Sequence, residues 1–199
     1  MPSGTRLLIG LFPDAEVRSA IAMHRDQSLW PRNAHFAPLP HLHLTLGYVD
    51  DSGELLYAPR LVAALSEVPV RGLKLVLDQS CTWIYKEATP TEKGKAISVF
   101  RPAPHDGLSD LHECVQRALQ KAELQDDVRG WTPHITFARD SERAAYPALE
   151  PIPWLAGELR LVRSRFDGQF FRHEPLASFF ATGDIRIAPV IRENLQRLC

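Results

Sequence analysis

The chain has 199 residues, 45% hydrophobic and 24% charged, with a formal net charge of -1 and a pI near 6.7. That size supports one sizeable core or two small lobes sharing a cleft. The charge excludes the broad basic footprint that long nucleic acid demands, and leaves open a small phosphate ligand or the end of an RNA strand.

Residues 6–12, "RLLIGLF", read as a buried strand. Pro13 ends it, and Asp14 can cap a helix over roughly 15–28. The N-terminal apolar run is too short for a secretory h-region or a membrane span, so a cytoplasmic protein without membrane contact is expected. "WPRNAHFAPLP" (30–40) reads as a loop into the strand "HLHLTLGYV" (41–49), and 54–67 as a helix that Pro59 kinks or delays. "GLKLVLDQS" and "CTWIYKE" then predict two strands around a short turn, "ATPTEKG" a loop, and "KAISVFRP" another strand. Residues 107–124 carry Leu108, Leu111, Val115, Ala118, Leu119 and Ala122 at helical spacing. Strands follow at 131–139, 158–166 and 176–183, and a short helix at 190–198.

Several strands around three or four helices, with no G-x-G-x-x-G or G-x-x-x-x-G-K-[ST] loop, predict an α+β fold with antiparallel sheets. No linker or low-complexity tract divides the chain, so residues 1–199 are read as one domain. Cys81, Cys114 and Cys199 are widely separated, odd in number and without C-x-x-C spacing. They suggest neither a zinc site nor a disulfide framework, and fit a reducing compartment.

In "HLHLTLGYV", strand alternation sets His41, His43 and Thr45 on one face and the leucines on the other. The pattern returns 91 residues later, where "HIT" at 134–136 repeats "HLT" at 43–45. With eight histidines in the chain, chance supplies roughly 0.3 His-x-Thr tripeptides, so two matched copies call for a reason. One copy in each half suggests a pseudo-repeat whose two lobes put their histidines across a common groove.

Two imidazoles with pKa values near neutrality can share acid–base work at a phosphodiester, one accepting the proton of an incoming water and the other protonating the departing oxygen. Thr45 and Thr136 face the same way as their histidines and can bind non-bridging phosphate oxygens. Arg139, five residues beyond His134, supplies a nearby cation.

At these residues the sequence resembles the two-histidine phosphoesterase superfamily. "HLHLTLGYV", "WTPHITFARD" and the opening "RLLIGLFPDAEVRSAI" are similar to the 2′-5′ RNA ligase, or RNA 2′,3′-cyclic phosphodiesterase, family. The resemblance implies a bilobal fold of two antiparallel β-sheets related by a pseudo-two-fold, with helices on the outer faces and a central active-site groove. Two intertwined lobes, with one motif each, would make up residues 1–199. It implies a monomer needing no metal and no cofactor, in which His43 and His134 are the acid–base pair and Thr45, Thr136 and Arg139 bind phosphate. The implied reaction is hydrolysis of 2′,3′-cyclic phosphate ends of RNA, or of small nucleotides, to 2′-phosphates. His43 would protonate the 3′ oxygen while His134 activates water. Replacing water by a 5′-hydroxyl would give 2′-5′ RNA ligation without ATP, and no lysine-adenylating K-x-D-G motif is present. The chain departs from the family's usual "FLG" after the first motif, having Gly47-Tyr48-Val49-Asp50 instead. The substrate therefore stays open among RNA ends, 2′-5′ oligonucleotides, cyclic nucleotides and ADP-ribose cyclic phosphate.

Other readings of the same residues stand beside this one. His43 and His134 could be histidines on solvated strand faces. His41, His43 and His134 could bind a metal in a hydrolase or oxygenase, although no carboxylate or cysteine motif accompanies them. A non-catalytic nucleotide- or RNA-binding module is a third class. His105 and His112, seven apart, read as surface residues, while His24, His35 and His173 attract no assignment. Trp83 and Tyr85 could stack a base or simply pack. Arg160, Arg163, Arg165 and Arg172, interleaved with Phe166, Phe170 and Phe171, read as an RNA-contacting edge or as an ordinary polar strand face.

Overall fold

Apolar alternation and two capped helices lay down the chain in the order strand, helix, strand. The computed structural model describes residues 5–32, 34–51, 55–87, 95–124, 130–140, 144–166 and 171–196, and Cys199 and Phe170 lie outside them. Strand β1 (Thr5–Leu11) ends at Pro13, and the Asp14 carboxylate accepts the Val17 N–H at 2.9 Å to start helix α1 (Ala15–Gln27). Within the segment read as loop, His35–Phe36 forms a short strand β2, and Leu39–His41 a single 3₁₀ turn. Strand β3 (Leu44–Asp51) therefore begins later than expected, and His41 sits in the turn before it. Helix α2 (Ala58–Leu65) takes Pro59 into its first turn, where the missing N–H costs nothing.

The two strands expected between 72 and 87 are one, β4 (Leu73–Lys86), with the register against its neighbour shifting between Leu77 and Gln79. Asp78 is the extra residue of a β-bulge there, so "DQS" bends a strand rather than turning the chain. Strand β5 (Lys95–Pro102) and helix α3 (Asp106–Lys121) follow, the helix capped by His105, whose Nδ1 accepts the Leu108 N–H at 3.2 Å. Then come β6 (Ile135–Asp140), β7 (Ile152–Ala156), β8 (Glu158–Phe166), β9 (Phe171–Phe180), β10 (Ile185–Ile187) and α4 (Pro189–Gln196). Strand β7 is not expected from the sequence, because Pro153 argues against a strand; it lies at the sheet edge, where a missing N–H is tolerated.

The strands pair antiparallel in the order β10-β9-β8-β1-β3-β6-β5-β4-β7, with β2 beside β6. The expected antiparallel α+β architecture is thus present, and among the described residues the β10-to-β3 and β6-to-β7 runs of that order join into one ten-stranded sheet. The join is a single residue pair, Leu44 with Ile135, after which β3 and β6 diverge and β2 takes the free side of β6. Each motif strand pairs with the strand that precedes it by one helix: β1–α1–β3 in one half and β5–α3–β6 in the other.

Leu44, Leu46, Ile135 and Phe137 are buried in one cluster with Val17 and Ile21 of α1, Leu61 and Leu65 of α2, Leu111 and Val115 of α3, and Ile191 of α4. Burying each such side chain is worth about 1.5–3 kcal/mol, so the apolar residue inside each His-x-Thr motif anchors that motif to the helix-covered face. The opposite face is left open. Among the described residues, no helix is long and apolar enough to cross a membrane.

Candidate active site

The Leu44–Ile135 pair decides where the polar residues go. Both side chains are fully buried, so their neighbours in the chain point to the other face. The pairing of these two residues brings His43 and Thr45, and His134 and Thr136, to the same face. All four residues line one groove of about 750 Å³ on the face away from the helices, together with Arg139.

Arg139 needs a further reason to be there. Three residues after Thr136, it would face the core on a regular strand. The register between β5 and β6 shifts, with Ser98 opposite Ala138 and Val99 opposite Thr136, so Phe137 is an extra, bulged residue. The bulge resets the alternation and turns Arg139 toward the groove. Strand β3 does the same at the same place: Ile9 opposes Gly47 and Gly10 opposes Thr45, leaving Leu46 as the extra residue. Tyr48 then joins Thr45 in the groove lining. In each motif strand the bulge follows the threonine directly.

The two histidines are held alike. His43 Nδ1 lies 2.7 Å from the His41 carbonyl and His134 Nδ1 lies 2.8 Å from the Thr132 carbonyl, each two residues upstream. A carbonyl only accepts, so Nδ1 carries the hydrogen in both rings and Nε2 is the working atom. Neither Nε2 has a hydrogen-bond partner among the described residues. Burial drives His43 down to about 4; the hydrogen bond to His41 opposes this, and charge on His134, Arg139 and His41 adds to it. His134 is also lowered, chiefly by burial, against its bond to Thr132, with Arg139 and Arg101 contributing. The groove therefore holds two neutral imidazoles near arginine charge, and an entering anion would raise both pKa values.

The surroundings of the two rings differ. His134 rests against Trp83, with ring centroids 4.8 Å apart. His43 is flanked by Phe12 at 5.5 Å and by His173 edge-on at 4.9 Å. The Trp131 indole N–H donates to the Thr45 carbonyl at 2.9 Å and ties the segment before β6 to β3.

No protein-family model and no curated protein matches the sequence. Solved structures do. A structure described as a phosphoesterase superposes with a TM-score of 0.73 at 21% identity, covering 88% of this chain and 98% of its own. LigT of E. coli in complex with phosphate gives 0.68 at 22% identity, covering 89% and 98%. TT0787 of Thermus thermophilus gives 0.67 at 21% identity, covering 90% and 99%. E. coli LigT has also been solved with 3′-AMP, a structure that matches with a TM-score of 0.67 at 23% identity, covering 90% and 99%. The chain has the LigT fold.

Within that LigT fold the residues read from sequence sort themselves. His43, Thr45, His134, Thr136 and Arg139 share the groove, as does Trp83, whereas Tyr85 is exposed and outside the lining. His41 lines the groove from the 3₁₀ turn rather than from the strand. Among the described residues no group of three His, Cys, Asp or Glu side chains is arranged to hold a metal ion. His112 is stacked on Trp131 at 3.9 Å, and so is not a plain surface residue. His24 is buried against Ser80, with Nε2 3.0 Å from the hydroxyl, and His35 lines the groove from β2. Of the basic residues on β8, Arg160 bonds Glu158 at 2.6 Å and Arg163 bonds Glu174. Phe171 alone of the three interleaved phenylalanines is described to its side chain; it lines the groove. His173, given no role from sequence, sets its ring nearer to that of His43 than Phe12 does. Nothing in "RHEP" signals this, because the contact is made where β9 packs against the 3₁₀ turn before β3, a segment remote in sequence.

Proposed function

We propose that this protein is a phosphodiesterase of the two-histidine superfamily, opening 2′,3′-cyclic phosphate ends of RNA or small nucleotides to 2′-phosphates without a metal. The observation that carries the reading is the pairing of Leu44 with Ile135, which brings the two His-x-Thr motifs to one groove. The reported complexes of E. coli LigT with phosphate and with 3′-AMP support a phosphate-bearing nucleotide as the ligand.

In the direction implied by the family resemblance, Nε2 of His134 removes a proton from water as its oxygen attacks phosphorus. The bond from phosphorus to the 3′ oxygen breaks, and Nε2–H of His43, charged once the anionic substrate has arrived, protonates the departing oxygen. The charge that builds on the non-bridging oxygens is met by the hydroxyls of Thr45 and Thr136 and by the Arg139 guanidinium. Each proton transfer is worth roughly 10²–10⁴ in rate. A 5′-hydroxyl in place of water would run the same steps as a 2′-5′ RNA ligation. Trp83, against His134, supports a stacking surface for the base.

The test is incubation with a 2′,3′-cyclic nucleotide in excess chelator, followed by phosphorus NMR. Metal-free hydrolysis predicts undiminished turnover to a 2′-monophosphate. Turnover lost with the metal, or no turnover across a panel of cyclic phosphates, would overturn it.

A further inference from the structure

His173 is among the groove side chains that the chemistry above does not use. His173, on β9, sits between His41 at 5.0 Å and His43 at 4.9 Å, with Phe12 at 6.2 Å. Its Nδ1 is buried without a partner, whereas Nε2 is neither buried unpaired nor bonded to any described residue, and the ring lines the groove. A buried N–H without an acceptor is costlier and rarer than a bare lone pair, so the ring hydrogen resides on Nε2. His43 and His134 are the reverse: their hydrogens are held at Nδ1 by carbonyls, leaving a lone pair at Nε2. The groove thus presents two acceptor imidazoles and, beside one of them, donors at His173 and, since its Nδ1 is likewise buried without a partner, at His41.

We propose that His173 is a specificity residue, donating a hydrogen bond from Nε2 to the sugar hydroxyl that ring opening frees beside the phosphate at His43. The inference rests on the phosphodiesterase reading and names which part of the product nucleotide this corner recognises. Phosphate is already served by Thr45, Thr136 and Arg139, and charged donors bind it about twice as strongly as neutral ones. His173 is a poor phosphate donor because it stays uncharged: burial, with His43 and His41 beside it, pushes its pKa down to about 3. A neutral N–H set one ring away from the phosphate-facing histidine suits a hydroxyl on the sugar that carries the phosphate. Ser164, opposite His173 on β8 and also lining the groove, adds a second hydroxyl-compatible group.

The experiment compares His173→Phe, which keeps a ring and removes the donor, with His173→Asn, which restores a neutral N–H. Dissociation constants are measured for inorganic phosphate, which has no sugar, and for a nucleoside 2′-monophosphate, which carries the freed hydroxyl. His173→Phe should weaken the nucleotide by about five- to tenfold, the loss of one neutral hydrogen bond, with phosphate affinity within about twofold. His173→Asn should recover most of that loss. Equal weakening of phosphate and nucleotide, or no weakening of either, overturns the proposal. If His173→Phe does not fold, the wild-type His173 ring resonances decide: a shift with the nucleotide and none with phosphate supports it, and the same shift with both refutes it. If the wild-type protein turns over no cyclic phosphate, the proposed function fails while the two binding constants still judge this inference.

Discussion

At the scale of single residues, the site is a set of imidazoles distinguished by which nitrogen carries the hydrogen. His43 and His134 were legible because a His-x-Thr tripeptide on an alternating strand announces both its polar face and its apolar anchor. Arg139 was found by nearness in sequence, although parity alone would have turned it inward; the bulge at Phe137 corrects that. His173 was not legible, since it meets His43 only where β9 packs against the turn before β3. The depressed pKa values carry a consequence for stability. Unfolded imidazoles take up protons near pH 6.5, while folded His43 resists until about 4 and His173 until about 3. Between those values the unfolded chain holds more protons, so lowering the pH favours unfolding. Thermal melts from pH 7 to pH 5, above the main carboxylate range, should show a falling Tm, by about 2–4 °C for each kcal/mol lost. Sulfate, whose charge is constant in this window, should raise Tm more at pH 5.5 than at pH 7, because an anion restores the protonated rings. A flat or rising Tm on acidification would contradict the assigned shifts.

At the scale of elements, two bulges and one glycine set the motif strands. The amphipathic helices α1 and α3 were readable from capping and spacing, and β8 from its alternation. The bulges were not, because Leu46 and Phe137 look like ordinary core residues and the extra residue shows only against the neighbouring strand. Gly10 sits opposite Thr45 at the β3 bulge, and a Cβ there would stand 2.6 Å from the Leu44 carbonyl oxygen. No rotamer relieves a clash with backbone. Gly10→Ala should therefore cost about 1–3 kcal/mol in urea unfolding. It should also lower turnover, since the displaced carbonyl lies between His43 and Thr45. Unchanged stability and unchanged turnover would show that β3 is not held this closely.

At the scale of the whole molecule, two antiparallel halves meet through one residue pair and diverge, and the divergence is the groove. The repeated tripeptide pointed to the halves; their fusion into one sheet depends on β3 and β6 becoming neighbours, which no local signal encodes. The proposed function carries the same consequence for the chemistry: in it, residues from both halves act on one phosphorus atom. If they act as a unit, removing either should cost nearly as much as removing both. The direct measurement is turnover of a 2′,3′-cyclic nucleotide by His43→Ala, His134→Ala and the double variant, each verified as folded by circular dichroism. A shared site predicts that each single variant falls by at least about 10²-fold and that the double variant falls little further. Near-normal turnover in either single variant, or losses that multiply independently, would contradict it.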